Sequence, residues 1–102
     1  MTLTPEGKIK KVVSSYLRRL DTIWYTMPVP GGYGMSTLDY LGCYRGKFFA
    51  IETKAPGKKP TPRQEITMED MRNAGAAVFI IDSDDLTPLK DWVEKVKKET
   101  TT

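Results

Sequence analysis

The chain is 102 residues long, enough for one domain with a modest core. Sixteen Lys and Arg against 13 Asp and Glu leave a formal net charge of +3, which permits contact with a polyanion without requiring it. Histidine is absent and cysteine occurs once, as Cys43. This rules out an internal disulfide, Cys–His zinc fingers and serine–histidine hydrolysis, and leaves carboxylates, Lys, Tyr or an oxygen-bound metal for any demanding chemistry.

The N-terminal sequence MTLTPEGKIKK has no apolar run behind its charges, so no signal peptide is expected. No stretch suits a membrane span, and a reduced Cys43 fits a cytoplasmic setting, that of the host cell if the source is viral. A helix is expected from about Pro5 to Leu20. Its apolar positions, Ile9, Val12, Val13, Tyr16, Leu17 and Leu20, follow a helical period, and Thr4-Pro5 reads as cap and first turn. Thr22–Met27 reads as a strand. The segment 28–36, PVPGGYGMS, reads as a loop. Strands at Thr37–Tyr44 and Lys47–Lys54 flank Arg45-Gly46, a two-residue hairpin turn. A basic loop, Ala55–Pro60, leads to a second helix signalled by Thr61-Pro62 and ending near Asn73-Ala74-Gly75. Ala76–Asp82 is apolar on both faces, which predicts a central strand. Thr87-Pro88 repeats the cap signal before a last helix carrying Leu89, Trp92, Val93 and Val96. The order α-β-β-β-α-β-α predicts an α/β fold, a mixed four-stranded sheet flanked by helices. It forms a single domain over 1–102, with its core at about 5–98 and a frayed tail at 99–102.

The hairpin places the chemistry. If Arg45-Gly46 is the turn, Tyr44 pairs with Lys47, and counting outward sets Asp39 opposite Glu52 with Lys54 on the same face. Carboxylates facing each other at about 5 Å between Cβ atoms repel, and the surrounding hairpin is largely apolar. A divalent cation relieves that repulsion, and hard oxygen donors select Mg²⁺, with Mn²⁺ as substitute. The backbone carbonyl of Thr53 is a further candidate ligand. Such a centre suits phosphodiester hydrolysis, with Lys54 orienting water and offsetting charge.

Gly34-x-Ser36-x-x-Asp39, Gly46-x-Phe48-x-Ala50-Ile51-Glu52-x-Lys54 and Thr61 with Gln64 together resemble the VRR-NUC group of the PD-(D/E)XK nuclease superfamily, closest to its stand-alone viral type. The resemblance runs from about Glu6 to Leu89, and the element order matches that superfamily's restriction-endonuclease-like αβββαβ core. It implies metal-dependent cleavage of DNA, with Asp39 and Glu52 as ligands and Lys54 as the catalytic lysine. It places Gln64 at the site and makes Glu6 a further candidate ligand, directly or through water. It also implies a homodimer acting on duplex or branched, junction-like DNA. The sequence departs from the family at Leu38, where proline or a small residue usually precedes the aspartate.

Lys58, Lys59 and Arg63 are placed to hold phosphates beside such a site, and Tyr33 and Ser36 on the Gly-rich loop to contact DNA. Each also fits plain solvated surface. Trp24, Trp92 and the methionines read as core or interface, and Cys43 as buried filler. Small size independently favours pairing with a second copy. The rival readings are a nucleic-acid-binding module of the same fold without activity, and a structural domain with its polar strand residues on a solvated face.

Overall fold

The computed structural model describes residues 3–29 and 37–101. Helix α1 (Pro5–Arg18) starts where the Thr4 hydroxyl accepts the Gly7 N–H at 3.0 Å, and it buries Ile9, Val13 and Leu17. Strand β1 (Ile23–Thr26) pairs antiparallel with β2 (Tyr40–Tyr44), which pairs antiparallel with β3 (Lys47–Thr53). Helix α2 (Pro62–Asn73) crosses over to β4 (Ala77–Ile81), parallel to β3, and α3 (Thr87–Thr100) completes the fold.

The hairpin turn forms as its sequence demands. Arg45 and Gly46 both take positive φ, 50° and 84°, which matches the twist of the two strands and sets Tyr44 opposite Lys47. Alternation then divides the sheet. Tyr40, Tyr44, Phe49, Ile51 and Ile81 face α1 and α3 in the main core. Trp92 of α3 meets the rings of Tyr44, Phe49 and Phe79 with centroids 5.7–6.2 Å apart. Leu38 and Ala50, with the partly buried Leu41 and Val78, pack under Met68 and Met71 of α2 in a smaller second cluster.

Three expectations need correction. The sheet order is β1-β2-β3-β4, so β4 lies at an edge and not at the centre. Its two apolar faces serve two helical layers, Val78 toward α2 and Phe79 toward α1 and α3, so they do not report strands on both sides. Thr87 is not a cap. It is the first residue of α3, and the Asp85 carboxylate accepts its N–H at 3.0 Å and its hydroxyl at 2.6 Å, which lowers the Asp85 pKa. Finally, Cys43 is exposed and is not buried filler, and Trp24 is 66% exposed, which removes the core alternative for it and leaves the interface one, because the α2 cluster reaches only the inner part of that face. Among the described residues, no helix is long and apolar enough to cross a membrane.

Candidate active site

The β2–β3 ladder ends at Tyr40 opposite Ile51, and beyond it the two acids take over the pairing. The Asp39 N–H donates to Glu52 Oε1 at 3.2 Å. In return Asp39 Oδ2 accepts the Thr53 N–H at 2.9 Å and the Thr53 hydroxyl at 2.7 Å. Each carboxylate thus holds the other strand's backbone, and the register places residues 39 and 52 face to face as the turn geometry requires. This reciprocal latch uses one oxygen of each acid.

The remaining oxygens face ammonium groups. Lys54 Nζ lies 3.5 Å from Glu52 Oε2. Lys10 Nζ, from α1, lies 3.7 Å from Asp39 Oδ1 and 3.4 Å from Glu6 Oε2. Glu52 is only 3% exposed, so its pairing with Lys54 is not a solvated surface bridge. Burial, then the charge of Asp39, raises the Glu52 pKa against the opposing pull of Lys54. Burial draws the Lys10 ammonium down, but Asp39 and Glu6 more than offset it and its pKa is raised.

Gln64 is aimed by a capping box. Its backbone N–H donates to the Thr61 hydroxyl, and its side-chain oxygen accepts the Thr61 N–H at 2.9 Å. The amide nitrogen is thereby left to donate to Glu52 Oε2. Gln64 therefore positions Glu52 in the structure. Glu6 meets the acid pair only through Lys10. Lys58 and Lys59 are exposed on the loop before α2, and Arg63 is exposed in its first turn. Tyr33 and Ser36, with Gly34 of the motif, lie outside the described residues.

Lys10 is the residue that sequence reasoning missed. Its only signal was the four-residue spacing from Glu6 on one helix, and that spacing does not say which flank of α1 reaches the end of β2. The Thr53 hydroxyl was also missed, because attention fell on its carbonyl.

Among the described residues no group of three or more Asp, Glu or Cys side chains gathers as a ready metal cage. Two carboxylates remain, with hard oxygens directed at positive charge, flanked by a neutral amide. That donor set fits a hard divalent ion whose other positions are filled by water, backbone or phosphate oxygens, as Mg²⁺ prefers.

No protein-family model matches the sequence. Among curated proteins, the chain is 34% identical over 89 residues to "Putative nuclease p44" of Acyrthosiphon pisum secondary endosymbiont phage 1, spanning 87% of this chain and 95% of that protein. Among solved structures, it is similar to a "VRR_NUC domain" with a TM-score of 0.68 and 26% identity, covering 96% of this chain and 99% of the other. Likeness in sequence to the phage protein, and in fold and sequence to the solved domain, makes this chain a member of the VRR-NUC family.

Proposed function

We propose that the protein is a divalent-metal-dependent endonuclease that hydrolyses DNA phosphodiester bonds. The observation that carries this reading is the buried Glu52 held opposite Asp39, with Lys54 Nζ within 3.5 Å of its outer oxygen. The latch uses one oxygen of each acid, and the second oxygens, Asp39 Oδ1 and Glu52 Oε2, meet ammonium groups, the charge pattern that a divalent cation or a reacting phosphate would exploit. Membership in the VRR-NUC family and likeness to a nuclease-named phage protein support the same reading.

Asp39 and Glu52 would hold Mg²⁺ or Mn²⁺, with the Thr53 carbonyl as a further ligand and Glu6 as a peripheral one. Bound there, the ion supplies a Lewis acid for the phosphate and lowers the pKa of a water. The protein's own groups do the rest. Lys54, one residue past β3 and beside Glu52, directs an attacking water and offsets charge building on the phosphate oxygens. Gln64 fixes the Glu52 carboxylate. Lys58, Lys59 and Arg63 bind phosphates flanking the cut, and Tyr33 and Ser36 of the Gly-rich sequence add further DNA contacts.

The functional unit would be a homodimer acting on duplex or branched DNA. The surface that favours pairing is a row across three strands. Trp24 on β1, Cys43 on β2 and Phe48 on β3 are successive partners, all exposed and on one face.

The deciding experiment offers linear, flapped and four-way DNA to the protein in Mg²⁺ and in Mn²⁺, beside Lys54→Ala and Glu52→Ala. Cleavage by the wild type and loss by about 10²–10³-fold or more in both variants is expected, the scale seen when one charge-stabilising donor is removed. Wild-type rates in either variant would remove the assignment. DNA binding without cleavage in any divalent metal would point to an inactive binding module.

A further inference from the structure

We propose that the outward face of α1 is a second DNA-contacting surface, a phosphate-binding track along the helix whose Lys10 reaches the acid pair. The proposal rests on the nuclease reading above and extends its substrate contacts to a separate element.

Lys8, Lys10, Lys11 and Arg18 lie within α1 and Arg19 at its C-cap, against one acid, Glu6. Lys10 is engaged by Glu6 and Asp39. Lys8, Lys11, Arg18 and Arg19 are exposed, and none of them enters an ion pair among the described residues. At about 100° per residue these four and Ser15 fall within an arc of about 100°, on the side away from Ile9, Val13 and Leu17. Lys11, Val12, Ser15 and Arg19 line a shallow depression of about 350 Å³.

Helix α3 shows what ordinary solvated charge looks like in this molecule. Its Lys90, Lys95, Lys97 and Lys98 are interspersed with Asp91, Glu94 and Glu99, and two pairs close, Lys95–Glu99 at 4.0 Å and Lys97–Glu94 at 3.3 Å. On α1 the one such pair, Glu6–Lys10 at 3.4 Å, lies off this outward face, where among the described residues no ion pair closes. A lipid surface is the poorer occupant, because the apolar side of α1 is already buried in the core and leaves nothing to insert. A rod of regularly spaced anions fits better. From Lys8 to Arg19 the helix rises about 16 Å, close to the axial rise of five base pairs. Lys10, bound to Asp39, lies about 100° round the helix from Lys11, so the helix that carries the track also reaches the acid pair from its other flank.

The test compares two variants with the same change in net charge. One is Lys8→Gln/Lys11→Gln/Arg18→Gln/Arg19→Gln, and the control is Lys90→Gln/Lys95→Gln/Lys97→Gln/Lys98→Gln. Binding of a labelled duplex is followed by fluorescence anisotropy in EDTA, which prevents metal-dependent cleavage, between about 50 and 200 mM salt. The α1 variant should flatten the slope of log K against log[salt] by about 2 to 3.5, and the α3 control by less than about 1. Lys11→Gln and Arg19→Gln alone should each flatten it by about 1, which covers any folding defect in the multiple variant. Equal slopes for the two multiple variants, or an α1 slope like the wild type, would overturn the proposal. The nuclease reading fails separately. If the wild type cleaves no DNA in Mg²⁺ or Mn²⁺ yet shows the α1-dependent slope, the surface stands and the catalytic assignment falls.

Discussion

Asp39 and Glu52 each carry one oxygen committed to backbone and one turned to an ammonium group, so the lysines sit where a metal's charge would act. Lys10 is the more exposed of the two, with 35% of its side chain accessible. Lys10→Gln should tighten Mn²⁺ binding by about three- to ten-fold, a modest effect because solvent screens a partly exposed pair. Calorimetry measures it, and weaker binding in the variant would show that Lys10 organises the site instead of competing for it. Glu52 makes a second prediction. With its folded pKa raised, the folded state holds the proton more tightly than the unfolded chain between the ordinary glutamate value and the raised one. Stability is therefore present at low pH and declines as pH climbs through that interval. Thermal melts of metal-free protein from acid to neutral pH should show this decline, and Glu52→Gln should flatten it. A wild-type curve that rises as steeply as the variant's would contradict the shift. The facing of residues 39 and 52 was legible because a two-residue turn fixes register and strands alternate strictly. The burial of Glu52 was not, since it depends on α2 closing over one end of β3.

The β2–β3 hairpin is the element on which the site depends, and two glycines make it. Gly46 holds φ at 84°, where a side chain costs about 1–2 kcal/mol, so Gly46→Ala should destabilise by about that much in urea titration. At Gly42 an added Cβ would lie 2.6 Å from the Trp24 carbonyl and 2.6 Å from the Phe49 ring. The backbone cannot yield as a flexible side chain does, and Gly42→Ala should cost more than the turn mutation in the same titration. Helix α2 shows the limit of pattern reading. It buries only Met68, while Ile66 is 64% exposed, yet it forms because the Thr61–Gln64 capping box and Pro62 start it. Its cap signal was plain in sequence. The misplacing of β4 came from reading two apolar faces as two strand neighbours, when in a sheet with helices on both sides an edge strand is covered too. At α3, the same Thr-Pro signal that was right twice failed because Asp85, two residues upstream, binds the Thr87 N–H and hydroxyl, and the helix starts at Thr87 behind Leu86 with no side-chain cap.

Taken as a whole, the molecule is covered unevenly. One face of the sheet packs against α1 and α3, while on the other the α2 cluster takes in Leu41, Ala50 and Val78 and leaves β1 and the turn end of the hairpin bare. That leaves Trp24 and Phe48, 66% and 46% exposed, beside Cys43. Light scattering should give twice the monomer mass for the wild type and a shift toward monomer for Trp24→Ser/Phe48→Ser. A wild-type monomer at micromolar concentration would remove the pairing proposal. The class of fold and the place of the acids could be read from periodicity and turns. The bare patch could not, because exposure is set by the extent of a neighbouring layer that no local pattern encodes. The latch between Asp39 and Glu52 has one more consequence. With a divalent ion held by the two acids, the amide protons of residues 39 and 53 would stay shielded from deuterium, while Lys10 and Lys54 would loosen their hold on the carboxylates. Loading the centre would then trade one set of positive charges for another inside a frame that does not stir, so that the backbone is built for the reaction before the reagent arrives.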